Sequence, residues 1–358
     1  MQKIIFITVV FGFLLCGCVP VANPSAPATT SLVQPQIRVV SPTPSQMPLP
    51  TATARPTATP TLFPISIPAM RQGTYPGSEI TVVKELVSGS NYRRYYVYYL
   101  SQGLKIYALL TVPSRQMPAG GWPGIVFNHG YIPPEIYKTT ERYIEYVNQL
   151  ALNGYVVFRI DYRGHDQSEG EAAGAYGDPG YEVDVLNAVA TLKRFAKVNP
   201  QKIGVWGHSM GGYLTLRAMV IDKSIKVGVI WAGVVGSYPD LLYNWRRGAA
   251  VTPTPPPSSR RWRDRWIETY GSPAENPAFW DSISANSYLT DLSGPLQLHH
   301  GTNDEEVPLA FSQTLEAQIK AAGGTVELYT YQDDNHNISG YFALAMKRTI
   351  AFFDQYLK

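Results

Sequence analysis

A serine held between two glycines at the end of an apolar run constrains this chain more than any other feature. Lys202-Ile203-Gly204-Val205-Trp206 leads into Gly207-His208-Ser209-Met210-Gly211, and helical spacing continues through Leu214, Leu216 and Ala218. A serine so placed can occupy a sharp strand-to-helix turn, because Gly207 and Gly211 omit side chains that would collide there. The turn presents Ser209 Oγ at a strand tip. It also aims the first backbone N–H groups and the positive end of a helix dipole at any negative charge forming beside it.

The region ahead of the folded part has a different character. In residues 1–18, Lys3 precedes an apolar run from Ile4 to Leu15 that is too short to span a bilayer, which reads as an export signal. Leu15-Cys16-Gly17-Cys18 resembles a bacterial lipoprotein signal, and that resemblance implies lipidation of Cys18 and anchoring outside the cytoplasm; the alternative is an ordinary cleaved signal and secretion. Twelve of the 29 prolines fall in residues 19–68, mixed with Ser, Thr and Ala and with no Asp or Glu. Such a stretch buries too little apolar surface to offset its ordering entropy, so a disordered linker is expected. Fully extended at roughly 3 Å per residue, it would reach about 150 Å.

Residues 69–358 have the length of one large α/β domain. Cys16 and Cys18 are the chain's two cysteines, so this part has no disulfide, thiolate metal site or cysteine nucleophile. A net charge of +3 implies no nucleic-acid partner. Tyr92–Leu100 and Leu104–Val112, joined by Ser101-Gln102-Gly103, read as a hairpin forming a half-covered antiparallel edge. Strands at Gly124–Asn128, Tyr155–Ile160, Ile203–Trp206, Val227–Trp231, Leu296–Leu298 and Val326–Tyr331 then alternate with helices at Thr140–Asn153, Tyr181–Val198, 309–322 and 341–357. That alternation predicts a mostly parallel sheet covered by helices on both faces, with ligands beyond the carboxyl ends of the strands. Residues 236–290 break it. Trp262, Trp266 and Tyr270 recur every four residues, so an inserted cap is expected, its aromatic rings as anchors and its arginines solvated or meeting a substrate carboxylate.

A serine hydroxyl needs a base to take its proton as it attacks. Six histidines are available. In a sheet of this kind the order is nucleophile, acid, histidine. His129 and His165 precede Ser209, His208 adjoins it, and His299-His300 come before any acid-bearing loop. His336, in the loop after the Val326–Tyr331 strand, is left as the base. Asp304 in Gly301-Thr302-Asn303-Asp304-Glu305-Glu306-Val307-Pro308 is the best-placed acid, ahead of Glu305 and Glu306. Asp333 and Asp334 read as solvated loop carboxylates. The oxyanion donors are expected to be the backbone N–H of Met210 and, from the loop His129-Gly130-Tyr131, the N–H or hydroxyl of Tyr131. Asp161-Tyr162-Arg163-Gly164-His165 reads as a brace between loops. The histidines do not cluster at metal-ligand spacing, and no cofactor is expected.

With these residues placed, residues 90–358 resemble the α/β-hydrolase superfamily, and within it the catalytic domain of the prolyl oligopeptidase family. Gly207-His208-Ser209-Met210-Gly211-Gly212, the Asp304-Glu305-Glu306-Val307-Pro308 continuation and the terminal His336 loop carry the resemblance. It implies that Ser209, Asp304 and His336 act as nucleophile, acid and base through an acyl-enzyme, on a short peptide. Two features depart from the family: no β-propeller repeats precede the domain, and Tyr131 stands where many relatives carry a second glycine. A carboxylesterase or acyltransferase of the same fold is the alternative, and a non-catalytic binding module on a membrane stalk is the alternative of another class.

Overall fold

The computed structural model describes residues 62–245 and 257–358, the side chains of 257–261 excepted. The export segment, Cys18 and most of the linker lie outside the described residues. The linker's last residues do not behave as a linker. Ser66 caps the short helix α1 (Ile67–Gln72) by accepting the Ala69 N–H, while Ile65, Ile67 and Met70 are buried in the core. Phe63 packs edge-on against Trp266, Tyr270 and Phe279. The folded unit therefore begins ahead of the expected boundary at 69, because alternate apolar residues hidden within a proline-rich stretch find an aromatic surface to cover.

Three strands open the sheet: β1 (Thr81–Leu86), β2 (Tyr92–Ser101) and β3 (Leu104–Pro113). The second and third are the expected hairpin. The edge is one strand further out than expected: β1, exposed along nearly its whole length, pairs antiparallel outside β2. Its sequence carries no half-buried alternation by which to be recognised.

Then come β4 (Trp122–Asn128), α2 (Ile144–Leu152), β5 (Val156–Ile160), α3 (Gly180–Arg194), β6 (Val198–His208), α4 (Met210–Ile221) and β7 (Val227–Trp231). The helices α5 (Tyr238–Tyr243), α6 (Pro257–Tyr270) and α7 (Pro277–Ile283), with a 3₁₀ turn at Ala285–Asp291, form the insertion. The chain closes with β8 (Leu296–Gly301), α8 (Leu309–Ala321), β9 (Val326–Tyr331) and α9 (Phe342–Leu357). Among the described residues the sheet has nine strands in the order β1-β2-β3-β5-β4-β6-β7-β8-β9, parallel from β5 onward. Strands β4, β5, β7 and β8 are buried at every residue, as apolar runs covered on both faces must be.

Two apolar clusters occupy the two faces of this sheet, one centred on α3, α4 and α8 and the other on α2 and α9. Two helices are shorter than their sequence periodicity suggests. α2 starts at Ile144 because Arg142 and Tyr143 both adopt left-handed φ, 56° and 51°, and α3 ends at Arg194, before Val198 joins β6. In the insertion, the Trp262-Trp266-Tyr270 face is an anchor: Trp266 is buried, stacking on Tyr238, and Tyr270 stacks on Phe279. Trp245 Nε1 donates to the Glu306 carbonyl at 2.8 Å, which sets the insertion against the acid-bearing loop at the carboxyl end of β8. Arg260 and Arg261 have side chains outside the described residues, and Arg263 lies over the Trp245 and Trp262 rings.

Candidate active site

Central strand β6 ends at His208 and α4 begins at Met210, so Ser209 alone makes the turn, with φ 54° and ψ −118°. A non-glycine residue held there is strained and needs surroundings that over-determine it. The surroundings are backbone hydrogen bonds. Ser209 N–H donates to the Trp231 carbonyl at 3.0 Å, and the Ser209 carbonyl accepts from Gly212 (2.9 Å) and Val234 (3.0 Å). The flanking glycines are required by contact. A Cβ at Gly207 would stand 2.2 Å from the Gly211 oxygen, and one at Gly211 would stand 2.0 Å from the Asn128 oxygen.

Asp304 and His336 come from the loops after β8 and β9 and meet across them. Asp304 Oδ2 accepts from His336 Nδ1 at 2.8 Å, while Oδ1 accepts the N–H groups of Glu306 (2.8 Å) and Val307 (3.0 Å). Because Nδ1 carries the hydrogen in that bond, Nε2 is left with its lone pair, the form a general base needs. Burial alone would raise the Asp304 carboxyl. Hydrogen bonds from His300 and His336 and from the Val307 amide outweigh it and hold the group well below the usual carboxylate range. Ser209 lies beside this pair through its neighbour His208, whose ring centroid is 4.6 Å from that of His336. Among the described residues no hydrogen bond joins Ser209 Oγ to His336; such bonds commonly tighten only with substrate bound.

The loop after β4 runs against the serine. A Cβ at Gly130 would lie 3.2 Å from Ser209 Cβ, and Asn128 is tied to α4 by its Nδ2 donating to Thr215 Oγ1 at 2.9 Å. The Gly130 N–H is already engaged, donating to the Tyr143 hydroxyl at 2.9 Å. No hydrogen bond among the described residues engages the Tyr131 N–H, and Met210, first in its helix, has no helical carbonyl to bond. These two N–H groups are free to meet an oxyanion. The Tyr131 side chain is exposed.

Several neighbours differ from what their sequence positions suggested. Asp334 is buried, not solvated: its carboxylate accepts the N–H groups of Asn335, Gly340 and Tyr341 and so shapes the loop that carries His336. Glu306 brings Oε2 to 3.8 Å from His336 Nε2. Asp161 and Arg163 brace different elements. Asp161 accepts from the Tyr137 and Thr139 hydroxyls, and burial pushes its carboxyl up to about 7; Arg163 pairs with Asp184 of α3 at 2.7 Å. His299 turns toward Tyr331 and Gln297 and away from the site.

His300 was missed because its place behind the acid depends on the turn between it and Asp304. Its Nε2 donates to the Val307 carbonyl at 3.0 Å with Asp304 Oδ2 3.1 Å away, and its Nδ1 meets the Ser312 hydroxyl at 2.8 Å. The acid is thus held from both sides. A hydrogen bond to a charged group contributes about 1.5–3 kcal/mol. His300→Leu is therefore expected to lower kcat roughly tenfold or more on an aryl ester with little change in KM. His300→Gln, which can still donate, should keep most of the turnover. Equal losses in both variants would show that His300 only fills space.

Comparison with known proteins gives a consistent result. Residues 143–358 match the model of the prolyl oligopeptidase family. The Uncharacterized peptidase YtmA of Bacillus subtilis is 27% identical over 245 residues, covering 68% of this chain and 86% of YtmA. The Uncharacterized peptidase YuxL of the same organism is 26% identical over 279 residues, or 73% of this chain but 38% of YuxL, so the chain spans well under half of that relative. Among solved structures, the acetyl xylan esterase from Paenibacillus sp. R4 superposes with a TM-score of 0.60 at 18% identity, over 81% of this chain and 92% of the esterase.

Proposed function

This chain belongs to the prolyl oligopeptidase family and is a serine hydrolase, and from that premise we propose that it cleaves the acyl bond of a short peptide through a Ser209–His336–Asp304 triad. The observation that carries the reading is the Asp304–His336 hydrogen bond beside the Ser209 turn, which places the hydrogen of the neutral ring on Nδ1 and makes Nε2 its accepting nitrogen.

As Ser209 Oγ attacks the substrate carbonyl carbon, His336 Nε2 takes its proton. The carbonyl oxygen becomes an oxyanion between the N–H groups of Met210 and Tyr131, at the positive end of α4. Asp304, ionised and saturated with donors, stabilises the imidazolium and holds its tautomer without taking its proton. The tetrahedral intermediate collapses, the imidazolium gives its proton to the leaving amine, and an ester to Ser209 remains. Water then enters and loses a proton to His336 as it attacks the ester carbonyl. A second collapse releases the acid and returns the proton to Ser209 Oγ.

A carboxylic ester as substrate is the second reading. It is supported by the near-complete match in extent to a protein named as an acetyl xylan esterase. Turnover of aminoacyl and dipeptidyl anilides alongside short-chain aryl esters separates the two. Anilide hydrolysis within about two orders of magnitude of ester hydrolysis fits the peptidase reading, since amides are the harder substrate. Ester turnover with no anilide hydrolysis overturns it.

A further inference from the structure

Arg142 and Tyr143 are the one consecutive pair of non-glycine residues with left-handed φ among the described residues. Neither residue is glycine, so each is held there against backbone strain. Buried Arg159 holds the pair in place, its Nη1 donating to the carbonyls of Glu141 and Arg142. The result is a tyrosine hydroxyl set between two loops that share no strand. We propose that Tyr143 and His208 form a positioning relay that keeps the His336 loop and the Gly130–Tyr131 loop in register with each other. This rests on the reading of His336 as the base and of the Tyr131 N–H as an oxyanion donor.

The hydrogen bonds assign the relay's direction. The His336 carbonyl can only accept, so His208 Nε2, 3.0 Å away, carries the hydrogen. His208 Nδ1 is then an acceptor, and the Tyr143 hydroxyl at 2.8 Å must donate to it. The hydroxyl oxygen accepts the Gly130 N–H. Every donor and acceptor in the series is used once: Gly130 N–H to Tyr143, Tyr143 O–H to His208, His208 N–H to the His336 carbonyl. Burial, and then the nearby His336, push the His208 imidazole down to about 3, so the ring stays neutral and this polarity is kept through the neutral pH range.

The relay has a consequence for the chemistry. The Gly130 N–H is held by Tyr143, and the Gly130 carbonyl accepts from His129 Nδ1 at 2.7 Å, so the peptide that carries the Tyr131 N–H, the proposed oxyanion donor, is fixed from both ends of Gly130. A shift of either loop is transmitted to the other through two bonds to one buried ring. Misplacement of a catalytic group by about 1 Å can cost on the order of 100-fold in rate.

The test is steady-state kinetics on an aryl ester with Tyr143→Phe, His208→Gln, the double variant and Ser209→Ala. Tyr143→Phe keeps the ring against Phe127 and Trp206 and removes only the hydroxyl. It is expected to lower kcat about 10- to 100-fold, with KM within about threefold. His208→Gln can satisfy one neighbour but not both and should fall similarly; it is read alone if Tyr143→Phe does not fold. The double variant should be no slower than the slower single one, because both break the same series. Wild-type kcat in folded single variants, or losses that multiply, would overturn the relay. Full turnover by Ser209→Ala would instead overturn the nucleophile on which it rests, so the two failures are distinguishable.

Discussion

Ser209→Ala is expected to lower kcat on an aryl ester by roughly 10⁶-fold while leaving the fold intact. The turn is held by backbone bonds from Ser209 to Trp231, Gly212 and Val234, none of which uses the hydroxyl. Alanine keeps the same Cβ and meets the same φ of 54° that serine already tolerates. The thermal midpoint should therefore stay within a few degrees of wild type, and labelling by a fluorophosphonate probe should disappear. Some rate above the uncatalysed reaction should survive, because the proposed oxyanion donors, the N–H groups of Met210 and Tyr131, are left untouched. Asp304→Asn gives an internal comparison. It keeps the shape of the acid but disturbs the tautomer of His336, and a loss near 10⁴-fold is the expected scale. A folded Ser209→Ala protein that still turns over at the wild-type rate would remove Ser209 as nucleophile.

Gly211→Ala is expected to have the largest effect on stability of any alanine placed at a glycine among the described residues. The new Cβ would lie 2.0 Å from the Asn128 oxygen and 2.6 Å from its carbonyl carbon. Both are backbone atoms in a fully buried strand, so no flexible side chain can move aside. Overpacking of this kind typically costs about 1–3 kcal/mol, and because the three nearest atoms are all backbone of Asn128 and His129, the cost is expected at or above the upper end. At roughly 2–4 °C per kcal/mol for a domain of this size, the midpoint should drop by about 10 °C. Activity should fall as well, since Asn128 leads directly into the Gly130–Tyr131 loop and any relief of the clash displaces it. Gly323→Ala is the control: a Cβ there meets nothing within 4 Å, although its φ of 77° still disfavours alanine. A Gly211→Ala protein that melts with wild type would mean the β4–α4 approach is looser than this packing requires.

Much of this molecule was legible along the chain. Fully apolar runs separated by amphipathic stretches read as a covered parallel sheet, and the places of Ser209, Asp304 and His336 just beyond three of its strands, β6, β8 and β9, could be taken from position alone. The glycines around the serine could also be anticipated, because a tight strand-to-helix turn excludes side chains whatever lies beyond it. All of these are consequences of short-range sterics and periodicity, which depend on neighbours within a few residues. Less was legible where the signal was weak or mixed. Strand β1 lacks alternation, and the apolar pair Ile65 and Ile67 is hidden in proline-rich sequence.

What only the tertiary structure decided is how the three loops are held together. His208 meets partners 65 and 128 residues away, Tyr143 and His336. Arg159 secures its loop from a different strand, and His300 closes on the acid only because the turn at Asp304 folds back. A ring nitrogen or guanidinium has no preferred partner spacing along the chain; its partner is whichever complementary group the folded backbone carries within about 3 Å. The residues proposed to react could therefore be picked out from their order along the chain, while the groups that hold their loops in register could be recognised only from their positions in space.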